Sequence, residues 1–373
     1  MSAFGNGRRR TEGIRRNEAY DYGPSSRPAR CVYAALDLGT NNCRLLVARP
    51  WRDGFRVIDA FSRIVRLGEG LSASGKLSDQ AMQRTLEALK VCASKIRRRG
   101  ATEVRAVATE ACRRADNCQS FLTQVRQETG IDLEIISQDE EARLAICGCA
   151  PLIDPEVPDI LLFDIGGGST EICWLRAERP DPQGPRRNGT GRGLTGEDLK
   201  LVAWASVPVG VISLAERFGG VELSPGDYDA MVSVMEEAMA DFVRLHDVRA
   251  AVADAKVQML GTSGTVTTLA GVHLDLPRYD RSSVDGSYLE MDTVHRICGR
   301  IAGMSYGERA GHGCIGVERA DLVVAGCAIL TALCRLWPAE RLRVADRGLR
   351  EGMLYTMIHG TGAPRGPAAP RGH

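Results

Sequence analysis

Apolar and polar residues alternate along the chain in the pattern of an α/β protein. Short apolar runs predict strands at Val32–Leu36, Phe55–Val65 and Val104–Ala108. Between the second and third of these runs, apolar side chains recur at helical spacing from Ser78 to Gly100. Ser78 is a favourable helix cap and Gly100 a favourable helix end, so this segment predicts an amphipathic helix. Strands that alternate with helices indicate a largely buried sheet flanked by helices.

The same alternation continues through the rest of the chain. Further strands are predicted at 133–136, 160–163, 172–175, 201–207, 257–260 and 342–344. Helices are predicted at 142–149, from 211, from 224 through 242, at 293–304, at 319–336 and over a last segment that contains Arg347, Arg350 and Glu351. The longest apolar run, 322–334, is too short to span a bilayer, so it predicts a buried helix.

A glycine-rich loop, Asp164-Ile-Gly-Gly-Gly-Ser-Thr-Glu171, lies between two of the predicted strands. Glycine adopts positive φ without a steric penalty, so successive N–H groups can point at one anion. The residues expected to hold a phosphate are Gly166, Gly167, Gly168 and Ser169. Asp164 and Glu171 should both face the mouth of this hairpin, where two carboxylates could share a divalent cation. The alternative is an ordinary glycine hairpin with exposed acids.

The order of residues in this loop also occurs 127 positions earlier in the chain. Asp37-Leu-Gly39 lies between two apolar runs, as Asp164-Ile-Gly166 does. A repeated phosphate-binding hairpin implies two similar domains that face one cleft. The first hairpin therefore contributes its own candidate phosphate-binding residues, which are Gly39, Thr40, Asn41 and Asn42.

Two further segments follow predicted strands. Glu141 comes after the strand that ends at Ile136 and opens a helix, at the strand edge where α/β sheets usually hold chemistry. An acid in a first helical turn also favours the helix dipole and can close a capping box with Ser137, so a purely structural role stays open. The loop 261–267 precedes a helix whose N-terminal amides could bind an anion at Gly264, or it is a plain glycine turn.

Charge and cysteine content exclude several classes of protein. The net charge is +1, and because residues 1–30 and 176–200 are basic, the rest of the chain is mildly acidic. A basic nucleic-acid-binding face is therefore not expected. The twelve cysteines and six histidines show no disulfide or zinc spacing and fit core residues in a reducing cytoplasm. No apolar stretch follows the N-terminal arginines, so neither a signal peptide nor a membrane partner is expected.

Eight short motifs, taken in order, resemble those of the Ppx/GppA phosphatase family, which comprises exopolyphosphatases and guanosine pentaphosphate phosphohydrolases of the actin-like ATPase superfamily. The motifs are Asp37-Leu-Gly-Thr-Asn-Asn42, Arg66-Leu-Gly-Glu-Gly-Leu71, Ala108-Thr109 with Arg113, Glu140-Glu-Ala-Arg-Leu144, Asp164-Ile-Gly-Gly-Gly-Ser-Thr-Glu171, Gly261-Thr-Ser-Gly-Thr265, Arg319-Ala-Asp321 and Gly348-Leu-Arg-Glu-Gly352. The resemblance extends from about Tyr33 to Met357.

The resemblance implies an α/β fold of two actin-like, ribonuclease-H-like domains around a central cleft, as in sugar kinases, heat-shock chaperones and actin. It also implies Mg²⁺-dependent hydrolysis of terminal phosphoryl groups, with Glu141 as the catalytic residue. Asp164 and Glu171 would hold the metal, with Asp37 through water, and Arg113 would be a positive partner of the phosphate. A cytoplasmic homodimer is expected by the same resemblance.

The domain organisation follows from the pattern and the resemblance together. We predict a disordered basic tail at 1–30, a first domain at 31–139 completed by a helix at 345–359, a second domain at 140–344 with a Pro/Gly/Arg-rich insertion at 176–200, and a disordered tail at 360–373. The chain ends soon after His359, as in a short form without the C-terminal HD-type domain. Gln138 stands where the family commonly has glycine, and the insertion is longer than usual.

Several functions fit these residues. Hydrolysis of inorganic polyphosphate is the favoured prediction, and guanosine pentaphosphate is the alternative substrate, because both end in the same phosphoanhydride. A kinase of the superfamily would also need a nucleotide pocket in the second domain and an acceptor alcohol. A non-catalytic sensor of polyphosphate or an alarmone is disfavoured, because acids beside a bound anion would weaken its binding.

Overall fold

The structure is a computed structural model that describes residues 31–51, 54–178, 194–219, 221, 223–224, 226–246 and 257–360. The predicted tails, apart from Gly360, and most of the predicted insertion lie outside the described residues.

The first half of the chain forms a five-stranded sheet. Its strands are β1 (Tyr33–Leu38), β2 (Asn42–Trp51), β3 (Gly54–Ile64), β4 (Glu103–Ala108) and β5 (Glu134–Ile135). Their order in the sheet is β3-β2-β1-β4-β5. The first three strands form an antiparallel meander, and β4 and β5 continue the sheet parallel to β1. The helices of this half are α1 (Leu71–Ser74), α2 (Asp79–Arg99), α3 (Glu110–Arg114) and α4 (Cys118–Thr129).

A helix, α5 (Gln138–Cys149), leads into the second sheet. The strands of that sheet are β6 (Asp159–Ile165), β7 (Thr170–Ala177), β8 (Leu199–Val207), β9 (Val257–Thr262), β10 (Tyr288–Glu290) and β11 (Arg341–Ala345). Its helices are α6 (Val211–Arg217), α7 (Asp227–Ala238), α8 (Ala240–Leu245), α9 (Gly264–His273), α10 (Arg281–Val284), α11 (Met291–Ala302), α12 (Tyr306–Gly311) and α13 (Val323–Leu336). The last helix is α14 (Leu349–His359).

The second sheet repeats the first. Its order is β8-β7-β6-β9-β11-β10, with an antiparallel meander from β6 to β8 and with β9 and β11 parallel to β6. The first four strands of each sheet therefore stand in the same order, and β11 takes the place that β5 has in the first sheet, with β10 as an extra strand at the edge. This repeat confirms the predicted fold of two actin-like domains, and it places the two glycine hairpins at equivalent corners.

Two helices join the domains at the base of the cleft. Helix α14 packs on the first sheet, where Met353 and Leu354 contact the buried side of β1 and β2. Helix α5 packs on the second sheet, where Ile146 joins a cluster with Leu162 and Leu260. The two helices also contact each other extensively. Helix α5 thus follows the first sheet in sequence but packs on the second, and α14 follows the second sheet but packs on the first. Together the two helices hold the domains to each other.

Several predicted boundaries are corrected by the structure. The predicted insertion at 176–200 is too wide, because Arg176 pairs with Lys200 and Ala177 with Leu199 as the last rungs of the β7–β8 ladder. The predicted helix at 319–336 begins only at Val323. The predicted helix from 224 through 242 is divided in two at Met239. Apolar periodicity predicts the central residues of these elements. It does not predict their ends, because these depend on where the backbone hydrogen bonds stop.

The cysteines and the helices bear on two further predictions. All twelve cysteines are free thiols, and eleven of them are buried, which confirms that they act as small core residues. Of the helices that the structure describes, none combines the length and apolar character needed to cross a bilayer.

Close contact between α5 and α14 depends on two glycines. A Cβ at Gly148 would lie 1.9 Å from the carbonyl oxygen of Gly348, and a Cβ at Gly352 would lie 1.9 Å from that of Leu144. Real Cβ atoms do not approach backbone so closely, so any larger residue must push the helices apart. The glycines therefore set the distance between the two domains at the base of the cleft.

We predict that Gly148→Ala or Gly352→Ala destabilises the protein by about 1–3 kcal/mol, because the added methyl overpacks the helix contact. The matched control is Gly299→Ala in α11, where nothing lies within 4 Å of the added Cβ. That change should stabilise the protein by about 0.5–1 kcal/mol through helix propensity. Urea unfolding of the three variants measures both effects, and equal behaviour of all three would contradict the packing argument.

Candidate active site

The two glycine hairpins meet at the cleft. In the first, the N–H of Gly39 donates to the carbonyl of Asn42 at 2.9 Å, and in the second the N–H of Gly166 donates to the carbonyl of Ser169 at 2.9 Å. The hairpins touch, since a Cβ at Gly167 would lie 3.0 Å from Cβ of Thr40. Such an approach is available to glycine because it has no side chain.

Both hairpins line one cavity of about 140 Å³. The sequence-predicted residues that line it are Asp37, Gly39, Thr40, Asn41, Asn42, Glu141, Asp164, Gly166, Gly167, Gly168, Ser169, Glu171 and Gly264. They come from both sheets and from the start of two helices, so the fold brings together residues more than two hundred positions apart. Among the predicted site residues, Arg113 does not line the cavity.

Asp164 and Glu171 stand directly opposite each other in the β6–β7 ladder. Burial, followed by the charge of Glu171, raises the pKa of Asp164 to about 7. Burial also raises the pKa of Glu171, against the hydrogen bonds that its carboxylate accepts from Ser169 at 2.6 Å and Ser206 at 2.8 Å. Asp37 lies nearby, and burial raises the pKa of its carboxyl. Three carboxyl groups with raised pKa values thus line the same cavity.

Glu141 lies in the first turn of α5 but does not cap the helix. The cap is Ser137, whose hydroxyl accepts a hydrogen bond from the N–H of Glu140. The Glu141 carboxylate instead accepts a hydrogen bond from Nη1 of Arg113 at 2.8 Å. Burial and the charge of Glu171 raise the pKa of Glu141 well above its ordinary value, while Arg113 opposes the shift. The side chain therefore faces the cleft and does not complete a capping box.

Arg113 is committed to its neighbours in α3 and α5. Besides Glu141, its Nη1 donates to the carbonyl of Ile136 at 2.9 Å, and its Nε and Nη2 donate to Oε2 of Glu110 at 3.2 and 3.1 Å. With all three nitrogens engaged, Arg113 is placed to orient Glu141. The sequence predicts Arg113 as a partner of the phosphate, and its geometry favours the orienting role.

Sequence reasoning missed three charged residues of the cavity, which are Arg44, Glu110 and Arg319. A signal was present for Arg44, because alternation along β2 places it on the same face as Asn42. Glu110 follows Thr109 at the end of β4, which is the same strand edge that holds Glu141. Arg319, which lies in a predicted motif, donates to the hydroxyl of Thr268 at 3.0 Å. Its approach to the cleft depends on the tertiary fold.

In the loop 261–267, the third predicted anion site, the side chain of Ser263 already bonds two of the backbone N–H groups. Ser263 adopts φ 143°, and its hydroxyl accepts hydrogen bonds from the N–H groups of Thr265 and Val266 at the start of α9. Gly264 lies at the cavity wall. A Cβ built on Gly264 would lie 4.0 Å from Nη2 of Arg44. Binding of an anion at Gly264 therefore stays a prediction, with Arg44 as a charged neighbour.

The wall of the first cavity carries more acidic than basic side chains. Five carboxyl groups line it, those of Asp37, Glu110, Glu141, Asp164 and Glu171, against the two guanidinium groups of Arg44 and Arg319. An anionic substrate would be repelled from such a wall unless a cation offset the charge. Within the described parts of the chain, no three acidic, histidine or cysteine side chains form a complete metal cage. Mg²⁺ commonly uses one or two carboxylates and completes its shell with water and phosphate, so the Asp164–Glu171 pair offers ligands of the kind it takes.

A larger cavity of about 400 Å³ adjoins the first. The two share Asp37, Arg44, Asp164 and Arg319 as a common wall. Beyond that wall, the charged residues of the second cavity are three arginines and two acids, and two aromatic side chains also line it. They are Arg281, Arg347, Arg350, Asp346, Glu351, Phe61 and Tyr279. Arg281 forms ion pairs with Asp346 and Glu351, and Arg347 forms one with Asp285. A substrate with its end in the first cavity could therefore continue into a space with charges of both signs and two aromatic side chains.

We predict that Asp164→Asn stabilises the metal-free protein by an amount that grows with pH. Because the folded pKa of about 7 lies above the unfolded value of 3.8, wild-type stability should fall as pH rises from about 4 to about 7. The variant lacks this loss, so its advantage should be absent near pH 4 and on the order of 1–3 kcal/mol at pH 8.

Urea unfolding in EDTA at pH 4.5 and pH 8 measures this difference. Added Mg²⁺ should stabilise the wild type at pH 8 and the variant much less, because the asparagine removes one carboxylate. A variant that is less stable than the wild type at both pH values would show that Asp164 is not a strained buried acid.

The geometry can be compared with known proteins. The family model of the Ppx/GppA phosphatase family matches residues 46–361. A Ppx/GppA protein from Aquifex aeolicus is 26% identical, with a TM-score of 0.66 over 88% of this chain and 97% of the other. An exopolyphosphatase from Cytophaga hutchinsonii is 25% identical, with a TM-score of 0.75 over 88% and 98% of the two chains. With two hairpins, a helix-borne glutamate and this match over most of its length, the chain belongs to the Ppx/GppA phosphatase family.

Proposed function

We propose that this protein is a Mg²⁺-dependent exopolyphosphatase that hydrolyses the terminal phosphoanhydride of inorganic polyphosphate and releases orthophosphate. The observation that supports it best is the convergence of both glycine hairpins, Glu141 and the Asp164–Glu171 pair on one cavity. Membership of a phosphatase family supports the reaction class. The choice of polyphosphate and the need for Mg²⁺ are our proposals.

Binding of the terminal phosphate is assigned to the two hairpins. Backbone N–H groups at Thr40 to Asn42 and at Gly167 to Ser169 can point toward one phosphate, and fixed donors of this kind need little reorganisation during the reaction. Asp164 and Glu171, together with Asp37 through water, are the groups that would hold Mg²⁺. When bound, Mg²⁺ supplies positive charge that offsets the charge of the phosphate oxygens.

Glu141 is assigned as the general base. A water oxygen attacks the terminal phosphorus, the bond to the bridging oxygen breaks, and the water proton passes to the Glu141 carboxylate. The shortened polyphosphate leaves with its terminal oxygen, and orthophosphate remains. Burial raises the pKa of Glu141, which favours uptake of that proton. The hydrogen bond from Arg113 fixes the carboxylate in direction, and Glu110 fixes Arg113.

The second cavity supports a substrate that is longer than one phosphate. Its arginines suit the inner phosphates of a polyphosphate chain, since guanidinium groups bind phosphate oxygens well. The alternative, hydrolysis of the 5′-phosphate of guanosine pentaphosphate, is favoured by Phe61 and Tyr279, which could contact a base. Both substrates present the same terminal phosphoanhydride to Glu141, so the chemistry is unchanged between them.

We predict that Glu141→Gln lowers phosphate release by about 10²- to 10⁴-fold, because the amide cannot accept the water proton. The protein should stay folded, since the amide can still accept the hydrogen bond from Arg113. Glu140→Gln, one residue earlier on the same helix, is the matched control and should retain activity. Turnover of Glu141→Gln within threefold of the wild type would reduce Glu141 to a structural residue.

We predict that phosphate release requires added Mg²⁺ and is faster on long-chain polyphosphate than on guanosine pentaphosphate. The reason is that three arginines against two acids line the second cavity beyond the shared wall, and guanidinium groups bind phosphate oxygens. Side-by-side assays at equal substrate concentration, with and without EDTA, measure both points. A larger kcat/KM for guanosine pentaphosphate would select the alternative function, and equal rates in EDTA would contradict the metal assignment.

A further inference from the structure

The two domains also meet at the rim of the cleft, through the residues that follow β3. Arg66 donates from Nη1 and Nη2 to the two carboxylate oxygens of Asp321 at 2.6 and 2.8 Å, and Nη2 also donates to the carbonyl of Glu318 at 3.1 Å. Four residues later, the N–H of Gly70 donates to Oε1 of Glu216 at 2.8 Å. We call the segment 66–70 the rim turn. It belongs to the first domain, and these bonds all end on the second.

The rim turn is also bonded to the first phosphate hairpin. The N–H groups of Val65 and Arg66 both donate to the carbonyl of Asn41, at 2.8 and 3.0 Å, and the N–H of Gly68 donates to the carbonyl of Thr40 at 3.0 Å. A Cβ at Gly68 would lie 2.2 Å from Cγ2 of Thr40. The turn is therefore in direct contact with the hairpin, and a shift of the turn must move Thr40 and Asn41.

The backbone of the rim turn is held in an unusual conformation. Arg66 has φ 47°, which side chains with a Cβ rarely adopt, and such conformations persist only where neighbouring contacts fix them. On the first domain, Arg84 donates to the carbonyls of Val65 and Arg66. On the second, Asp321 accepts the bidentate ion pair. The turn is thus fixed from both sides at once.

The rim and the base of the cleft differ in chemistry. The base is the close contact of α5 with α14, where Gly148 and Gly352 let backbone pack directly against backbone. At the rim, the side chains of Arg66 and Asp321 are 27% and 18% exposed, so water can reach the ion pair. Polar contacts between domains usually permit relative motion. The rim can therefore open while the base stays packed, and opening breaks the bonds of the rim turn.

We propose that the rim turn couples closure of the two domains to the shape of the first phosphate hairpin, with Arg66 and Asp321 as positioning residues. This inference rests on the proposed function, because it concerns the same phosphate site. Closure forms the ion pair, the ion pair fixes the turn, and the turn fixes the carbonyls of Thr40 and Asn41. Neither side chain takes part in bond making or breaking. The closed state then binds the terminal phosphate, and the open state exchanges substrate and product.

The test is a double-mutant cycle of Arg66→Gln, Asp321→Asn and the double variant, with long-chain polyphosphate and Mg²⁺. Loss of the pair lowers the closed fraction, and apparent affinity falls by that fraction. We expect KM to rise about tenfold in each variant, including the double variant, while kcat changes less than about threefold. Arg66→Lys should recover part of the KM. A control pair within the first domain, Lys90 and Glu128 at 2.8 Å, should show no change in KM on Lys90→Gln or Glu128→Gln.

Two measurements that do not need turnover accompany the kinetics. Small-angle scattering should give a larger radius of gyration for Arg66→Gln and Asp321→Asn than for the wild type or the controls. Hydrogen exchange should be faster at the amides of Val65, Arg66 and Gly68 in the same variants. If the wild type released no phosphate, the proposed function would fail and these two measurements would still decide the coupling.

Three results would overturn the proposal. One is an unchanged KM together with wild-type scattering and exchange. Another is a fall in kcat at constant KM, which would place the turn in the chemical step. The third is a KM in the double variant about a hundredfold above the wild type, because additive effects mean that Arg66 and Asp321 act separately.

Discussion

The contact between α5 and α14 is the constraint on which the active site depends. Each helix packs on a different sheet, and the two can lie together only because Gly148 and Gly352 present backbone to backbone. This contact fixes the distance between sheets that share one topology. The same helices also carry functional residues. Glu141 lies in the first turn of α5, and Arg350 lies in the first turn of α14, just after Arg347 in sequence. Packing at the base and charge in the cleft are therefore set by the same two elements.

Charge is the second physical theme of the cleft. The fold places Asp37, Asp164 and Glu171 on the wall of one cavity and raises the pKa of each, which costs stability in the absence of a cation. Such an arrangement is common where function requires charge that folding alone would not favour. Arg113 forms ion pairs with both Glu110 and Glu141. The charge of Glu110 offsets that of Arg113, so Arg113 orients the Glu141 carboxylate without adding a full positive charge beside it.

Much of the local structure could be predicted from the sequence. The helix from Ser78 to Gly100 is an example, since α2 is capped by the Ser78 hydroxyl and ends at Gly100 with φ 64°. The two Asp-x-Gly hairpins were also predictable, because the glycines, the flanking apolar runs and their order are all local features. Element ends were less predictable. The β7–β8 ladder extends further than the Pro/Gly/Arg composition of 176–200 suggested, because its last rungs depend on a partner strand that is distant in sequence.

The sequence by itself determined the two hairpins, the order of strands and helices, and the acids that follow the strands, because these depend on periodicity and on the backbone freedom of glycine. Only the tertiary structure decided which side chains share the cavity. Arg113 appeared as a phosphate ligand from its motif, yet in space it bonds Glu110 and Glu141. Arg44 and Arg319 are brought to one wall by elements from different domains. The physical reason is that side-chain charge pairing depends on distances through space, which a one-dimensional pattern does not contain.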